Sequence, residues 1–162
     1  MLLHQLEASV TFRACQRELW DIDHLWGPQV WLALIPGYQG LSDAQDVEEL
    51  AQRYQKVPTL LDQISANHLQ GMAEGWTAPR VAVERVIEQV KTMVAVPAAE
   101  QPLVTQARWP QGWSDERKTT GAARLTEAVE TYVLPAFRRW LVALEGPLLL
   151  TSRGAGRSAG PG

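Results

Sequence analysis

Hydrophobic side chains recur at three- and four-residue steps along most of the chain, which is the spacing of one helix face. The clearest stretch runs from Val83 to Val94, with apolar residues at i, i+3, i+4, i+7 and i+11. Residues 2–20 repeat the pattern more loosely and predict a first amphipathic helix. That segment opens directly in the apolar register, without a Ser, Asp or Pro start signal.

Polar and Pro/Gly residues mark the borders of the next two predicted helices. Ser42, with Gln45 three residues later, predicts a capping box that opens a helix running to about Lys56. Pro58 suits the first helical turn that follows, because its missing N–H has no partner there. Gly75 is the expected C-terminal stop of that helix.

The second half of the chain predicts two more long helices. Thr77 is the expected N-cap of the helix that holds the Val83 stretch, and Pro97 ends it. Ser114 opens the last helix. Pro135 lies inside that helix, and because it removes one backbone hydrogen bond we expect a kink or break near Val133.

Two segments depart from the helical pattern. Residues 30–35 are continuously apolar between two Pro/Gly pairs, and we interpret them as a buried extended or irregular passage. Residues 1–147 form the predicted helical domain, and the Gly-rich residues 148–162 form a tail that we expect to be disordered. The prediction is an all-α fold, an irregular antiparallel helical array with a long kinked C-terminal helix. Its expected core residues are Leu6, Val10, Leu61, Ile64, Leu69, Val83, Val86, Ile87, Val90, Val129, Val133, Phe137 and Trp140.

The composition excludes several classes of protein but does not identify the function. The 162 residues are enough for one domain, or for a piece of a larger one. With 15 Lys+Arg against 18 Asp+Glu, the chain lacks the basic balance of a nucleic-acid or membrane-surface binder. Its longest apolar run is far shorter than a membrane span, and no secretory signal is recognisable. The compartment stays open, with the cytoplasm as the default expectation.

Candidate metal ligands are sparse. A helical zinc motif needs two His four residues apart, and none of His4, His24 and His68 has such a neighbour. Asp21 and Asp23 lie close to His24 and form the nearest cluster of oxygen and nitrogen ligands. Solvated polar side chains in a loop are the favoured interpretation of that cluster. No metal-binding residue is therefore predicted.

Other reactive or binding groups have an ordinary structural interpretation as well. Cys15 is the single cysteine, which excludes an internal disulfide and suggests a half-buried structural thiol. The seven tryptophans favour packing over the stacking of sugars. Arg80 and Glu84 are spaced to pair on a solvated helix face, as are Arg85 and Glu88. Arg80 is also placed to hold a carboxylate, so Arg80 and Glu84 are the candidate binding residues. No catalytic residue is predicted.

Several short motifs resemble a known family. Residues 71–80 (GMAEGWTAPR) and 83–89 (VERVIEQ) are similar to the bacterial family called domain of unknown function 885. Members of this family are mostly helical and are considered zinc-metallopeptidase-like. The resemblance covers about residues 2–144 and includes, in the same order, residues 25–29 (LWGPQ), 57–58 and 133–137.

The resemblance implies a hydrolase whose catalytic motif lies outside this sequence. Family members are longer, and their His-Glu-x-x-His zinc helix comes downstream of the matched part. No position here matches that motif, so we expect no cofactor in this chain and zinc only in full-length relatives. The uncapped opening and the Gly-rich close predict that both ends are cut from a larger domain. The chain would then be the N-terminal helical portion of such a hydrolase, partnered by the missing remainder of the domain. The alternative is a stand-alone helical interaction module that self-associates or binds another protein.

Overall fold

A computed structural model describes residues 16–154, and the regular elements of that part of the chain are helical. The predicted all-α fold is confirmed. The predicted helix over residues 2–20 lies mostly outside the described residues, and its end forms a short 3₁₀ turn, Arg17–Leu19. The helices are α1 (Pro28–Tyr38), α2 (Ala44–Tyr54), α3 (Val57–Ala73), α4 (Arg80–Ala95), α5 (Pro102–Thr105), α6 (Asp115–Ala128), α7 (Leu134–Ala143) and α8 (Leu149–Thr151).

Helix α1 corrects the prediction of an extended passage over residues 30–35. Gly27 takes the N-cap position in an extended conformation, and Pro28 starts the helix at a position that needs no N–H partner. Pro36 is buried in the last turn, where the lost backbone hydrogen bond disturbs little of the helix. The Pro/Gly pairs therefore border a partly buried helix, which periodicity could not distinguish from a strand.

The start of α2 lies one residue later than predicted. Asp43, and not Ser42, is the N-cap: its Oδ1 accepts the Asp46 N–H at 3.0 Å. Asp46 completes the capping box in place of Gln45, because its Oδ2 accepts the Asp43 N–H at 3.4 Å. A carboxylate suits both positions, since the first turn of a helix favours negative charge.

Both predicted borders of α3 are confirmed. Pro58 lies in its first turn, and Gly75 follows its C-terminus with a φ of 85°. The N–H of Trp76 donates to the Gly71 carbonyl at 2.8 Å, and the N–H of Gly75 donates to the Met72 carbonyl at 3.2 Å. These two bonds form a Schellman motif, which satisfies the last carbonyls of the helix.

Helix α4 begins without the predicted cap. Pro79 occupies the N-cap position, so the assignment of Thr77 is wrong. The N–H of Arg80 instead donates to the carbonyl of Arg153 at 2.8 Å, and the N–H of Arg153 donates to the Ala78 carbonyl at 3.0 Å. A distant part of the chain therefore closes this helix end.

The same pairing involves the first residues of the predicted tail. Leu149–Thr151 are helical, and Arg153 is bonded to the start of α4, although the tail was predicted to begin at residue 148. The guanidinium of Arg153 also lies 5.6 Å from the ring centre of Trp20. We call residues 152–154 the strap. Residues 155–162 lie outside the described part, so the domain boundary stays a prediction.

The long C-terminal helix has the predicted disturbance before Pro135. Ser114 caps α6, and its Oγ accepts the Arg117 N–H at 3.3 Å. The π-helical turn Val129–Val133 then joins α6 to α7, and the N–H of Leu134 donates five residues back to Val129. Pro135 lacks an N–H, and the wider turn accommodates its ring.

One hydrophobic core joins the helices. Packing brings α2 against α6, α3 against α7, and α7 against α4. The predicted residues of α4 and the C-terminal helix are buried, as is Leu61. Ile64 is partly buried, and Leu69 is wrong as a core residue because it is 37% exposed. Leu6 and Val10 lie outside the described residues.

None of the helices within residues 16–154 is long and apolar enough to cross a bilayer.

Candidate functional site

Two of the motif segments found in the sequence meet through a network of side-chain amides. The Nε2 of Gln29, at the start of α1, donates to the Asp23 carbonyl at 3.0 Å and to the Oε1 of Gln89 at 2.9 Å. The Nε2 of Gln89, on α4, donates to the His24 carbonyl at 2.8 Å. The guanidinium of Arg85 lies 3.0 Å from the Nε2 of His24. Helix α4 therefore fixes the loop that precedes α1.

Gly27 is required in this network. A Cβ at that position would collide with the Asp23 carbonyl and with the side-chain amide of Gln29. The Gln29 side chain is buried against this glycine, and its Oε1 has no hydrogen-bond partner among the described residues. Each residue of the Gly-Pro-Gln sequence thus has its own role. Gly27 allows the close contact with the Asp23 carbonyl, Pro28 starts α1, and Gln29 supplies the buried amide.

A cleft of about 490 Å³ opens beside the network, between α1, α4 and the α5 segment. Its walls are mainly apolar, formed by Ala33, Met93, Val96 and Leu103 among others. Gln101 is buried at its edge, and its Nε2 donates to the carbonyls of Met93 at 2.7 Å and Val96 at 2.9 Å. These bonds satisfy the open carbonyls at the end of α4 and hold the cleft wall in place. We call this space the main cleft.

A second hollow, of about 320 Å³, lies on the other side of Gln89. It is bordered by His24, Val81, Glu84 and Arg85, and it shares Gln89 with the main cleft. We call it the side hollow. The two spaces put residues 25–29 and 83–89, which carry the family resemblance, around a single surface.

The candidate binding residues lie at the edge of this surface. The Nε of Arg80 contacts the Oε1 of Glu84 at 2.8 Å, and both side chains are about half exposed. Glu84 borders the side hollow. The Arg80 N–H, which a bound carboxylate would need, is taken by the Arg153 carbonyl. Their role in binding stays a prediction.

Other polar residues singled out in the sequence have partners of their own. Asp21 pairs with Arg17 at 2.7 Å, and the Oδ1 of Asp23 accepts the Leu25 N–H at 2.7 Å. The predicted pairing of Arg85 with Glu88 is wrong, because Arg85 contacts His24. Within residues 16–154, no three His, Cys, Asp or Glu side chains are grouped closely enough to hold a metal ion. Cys15 lies outside that range.

The tryptophans mainly pack, as predicted. Trp109 and Trp113 stack with their ring centres 5.9 Å apart, and Trp109 lies over Gly121, where a Cβ would meet its ring. Trp140 is buried in the core. Trp26 differs, because it is 64% exposed on the loop that the amide network holds.

A third space is a groove of about 520 Å³ between α2 and α6. Arg124 crosses it and contacts both carboxylate oxygens of Glu48, at 2.8 and 2.9 Å. Arg117 stacks on Trp113, 4.7 Å from its ring centre. These groups already satisfy one another, and no motif segment of the sequence borders the groove.

The residues that organise the main cleft are three glutamines that the sequence did not identify. Gln29 lies in a motif that resembles the family, but nothing in its spacing shows that its amide is buried. Gln89 and Gln101 act through partners distant in the sequence, or through the carbonyls at a helix end. A lone Gln has no periodic signal, so only the fold reveals these contacts.

Comparison with known proteins gives one finding. Residues 1–161 match the family described as "Bacterial protein of unknown function (DUF885)". No curated protein and no solved structure matches the chain. The match extends beyond the 2–144 span of the resemblance and takes in nearly the whole sequence. This chain belongs to the bacterial DUF885 family.

Proposed function

We propose that this chain is the N-terminal helical portion of a zinc-metallopeptidase-like hydrolase, in which it forms a wall of the substrate cleft and performs no chemistry itself. The observation that carries the proposal is the convergence of residues 25–29 and 83–89 on the main cleft. Both segments resemble the family, and both supply amides that fix the cleft wall.

The main cleft has the properties of a binding surface. Its volume of about 490 Å³ lies within the range of clefts that hold small ligands, ~300–1,000 Å³. Apolar walls favour apolar side chains of a substrate. The Nε2 groups of Gln29, Gln89 and Gln101 all donate within the protein and hold the wall in place. The Oε1 of Gln29 has no partner among the described residues, so it is an amide oxygen of the wall that a ligand can still use.

The described residues do not fit a zinc site. The Nε2 of His24 faces the guanidinium of Arg85, and Asp21 is paired with Arg17. No third ligand lies close enough to them within residues 16–154. In the proposed hydrolase, the ion that polarises a scissile carbonyl and activates water is held outside this part of the chain.

A metal-retention experiment tests whether this chain lacks the zinc site and the catalytic activity of the proposed hydrolase. The chain is loaded with zinc, dialysed, and measured for bound metal and for hydrolysis of unstructured peptides. We expect neither stoichiometric zinc nor turnover. Retention of one zinc per chain after dialysis would overturn the proposal.

A second experiment tests the cleft itself. The probe is a set of short fluorescein-labelled peptides rich in Leu and Phe, with binding followed by fluorescence anisotropy. Ala33→Trp fills the cleft and should weaken binding by about tenfold or more, equal to a loss of ~1.4 kcal/mol. Ala66→Trp, on the exposed face of α3, is the matched control and should leave binding unchanged. Equal affinity of both variants, or no binding to the wild-type chain, would contradict the proposed role of the cleft.

A stand-alone helical interaction module is the second candidate function, and one observation favours it. Leu25 and Trp26 are 71% and 64% exposed on a loop that is held by hydrogen bonds on both sides. Apolar side chains fixed in solvent are typical of a contact surface. A module of this kind would bind a protein partner with no dependence on metal or on the main cleft.

A further inference from the structure

The loop that carries Leu25 and Trp26 is rigid although its apolar side chains face solvent. His24 is held through its carbonyl by Gln89 and through its ring by Arg85. Asp23 accepts hydrogen bonds from the Leu25 N–H and from the Gln29 side chain. A pre-organised loop loses little conformational entropy when it binds, so these two side chains are well suited as interface anchors.

The neighbouring surface contains a space that such an anchor can fill. The side hollow of about 320 Å³ begins at His24, the residue next to Leu25, and Val81 lies in its wall among the stems of longer polar side chains such as Arg85. Val81 borders the hollow and is itself more than half exposed. A protruding aromatic residue and a hollow on one face form a surface that can complement itself about a two-fold axis.

The order of charges on the exposed face of α4 favours a second copy as the partner. This order acts in addition to the contacts of Arg80 with Glu84 and of Arg85 with His24 within each chain. The sequence of signs is positive at Arg80, negative at Glu84, positive at Arg85 and negative at Glu88. If two α4 helices lie antiparallel with their two-fold axis between residues 84 and 85, Glu84 of each faces Arg85 of the other. One turn further out, Arg80 comes within one residue position of Glu88 of the second copy. A strongly acidic or basic partner would meet repulsion on this face, whereas a second copy meets opposite charges.

We propose that Leu25, Trp26, Val81, Glu84 and Arg85 form a homodimer interface, in which Trp26 of each copy enters the side hollow of the other. The proposal does not depend on the hydrolase assignment, because it uses neither the main cleft nor a metal. Five residues from each copy are far fewer than the roughly 20–30 a side of a stable interface, which implies a weak, reversible dimer.

Sedimentation velocity over a concentration series tests the interface. The wild-type chain should dimerise, and Trp26→Ala should raise the dimer dissociation constant by at least about tenfold, as expected for a central aromatic anchor. Tyr38→Ala removes another aromatic side chain that is 83% exposed, away from this face, and should change nothing. Thermal melts of both variants check that the fold is intact, since neither side chain is buried.

Exchanging the charges of Glu84 and Arg85 tests the antiparallel pairing of the two α4 helices more directly than Trp26→Ala does. Glu84→Arg places two arginines opposite each other and should weaken the dimer, whereas the double variant Glu84→Arg/Arg85→Glu restores opposite charges across the two-fold axis. Recovery of affinity in the double variant would support the antiparallel α4 pairing. A wild-type chain that stays monomeric at concentrations on the order of 100 µM overturns the proposal and favours another partner for this face. A dimer that is insensitive to Trp26→Ala, or to Glu84→Arg, overturns it as well.

Discussion

Tyr54 and His68 lie in two buried regions of the same core, and they differ in how completely their polar atoms are satisfied. Tyr54 is fully buried at the end of α2, and its hydroxyl donates to the Leu103 carbonyl at 2.7 Å. His68 is buried on α3, and its Nδ1 has no hydrogen-bond partner among the described residues. Burial raises the pKa of the Tyr54 hydroxyl above its ordinary value, whereas burial lowers the pKa of the His68 imidazole to about 4.

The two regions are also closed by different parts of the molecule. In the region of Tyr54, α2 packs against α6, and the Tyr54 hydroxyl connects α2 to Leu103 of α5. Around His68, Leu19 of the 3₁₀ turn and Leu148, just before α8, complete the packing on α3. The middle of the chain therefore buries a hydroxyl that has a hydrogen-bond partner, whereas the two outer segments cover an imidazole with one unpaired nitrogen.

The largest expected effect compares the packing of the central core with that of the outer segment at Leu19. Phe137→Ala removes a fully buried ring that lies edge-on to Trp140, and it should lower the free energy of unfolding by about 3–5 kcal/mol. Leu19→Ala should cost only about 2 kcal/mol, because the short 3₁₀ turn can partly collapse into the space. Urea unfolding followed by far-UV circular dichroism measures both. Equal losses would show that the two regions are packed with the same rigidity.

The next largest effect is a pH dependence of the free energy of unfolding that is caused by His68. Because folding lowers the pKa of His68 from 6.5 to about 4, the unfolded chain takes up a proton first as the pH falls. Stability is therefore lost below pH 6.5 and continues to fall until about pH 4. Between pH 7 and pH 5 the contribution of this group is a loss of about 2 kcal/mol. Urea unfolding at both pH values gives the difference directly.

Two variants isolate that pH effect. His68→Leu removes the titrating group and should flatten the pH dependence by the same amount. Tyr54→Phe should lower stability by about 1 kcal/mol equally at pH 7 and pH 5, because it removes a hydrogen bond but no group that titrates in this range. If the His68→Leu variant kept the full acid sensitivity, another group would have to cause it.

The sequence predicted local helix borders better than borders set by tertiary contacts. Pro58, Gly75 and Ser114 act within one turn of their own helix, so their chemistry is visible in a few consecutive letters. The start of α4 could not be found in this way, because its first N–H is satisfied by Arg153. Thr77 fits the local rule for an N-cap, but the distant Arg153 carbonyl accepts the first N–H of the helix instead.

The candidate site shows the same limit. The resemblance pointed to residues 25–29 and 83–89, but it gave no reason for them to touch. Their contact depends on Gln29 and Gln89, which are separated by two helices, α2 and α3, along the chain. The prediction for residues 30–35 was wrong for a related reason. A short apolar run has no period, so the sequence does not distinguish a helix from a strand there. The structure shows a helix that packs against α4 and α5.

A smaller loss of stability is expected at the C-terminus of α3, a helix border that the sequence predicted. Gly75 has a φ of 85°, a conformation that is unfavourable for any residue with a Cβ. Gly75→Ala should therefore lower stability by about 1 kcal/mol. Gly112→Ala is the matched control, since a Cβ there meets nothing within 4 Å. The midpoint of thermal unfolding compares the two variants, and an equal shift in both would remove the Schellman motif as the explanation.

The smallest effect concerns Arg80, which connects the candidate site to the outer segments. Its side chain forms one half-exposed ion pair with Glu84 four residues on, so Arg80→Ala should cost only a few tenths of a kcal/mol, about 0.3. The backbone bond from Arg80 to Arg153 survives this change, because it does not use the side chain. Arg153→Pro, in contrast, removes the N–H that binds Ala78 and should destabilise the start of α4 more than Arg80→Ala does. Hydrogen exchange at the first amides of α4 distinguishes them: protection lost with Arg153→Pro and kept with Arg80→Ala means that the strap, and not the arginine side chain, closes this end of the helix.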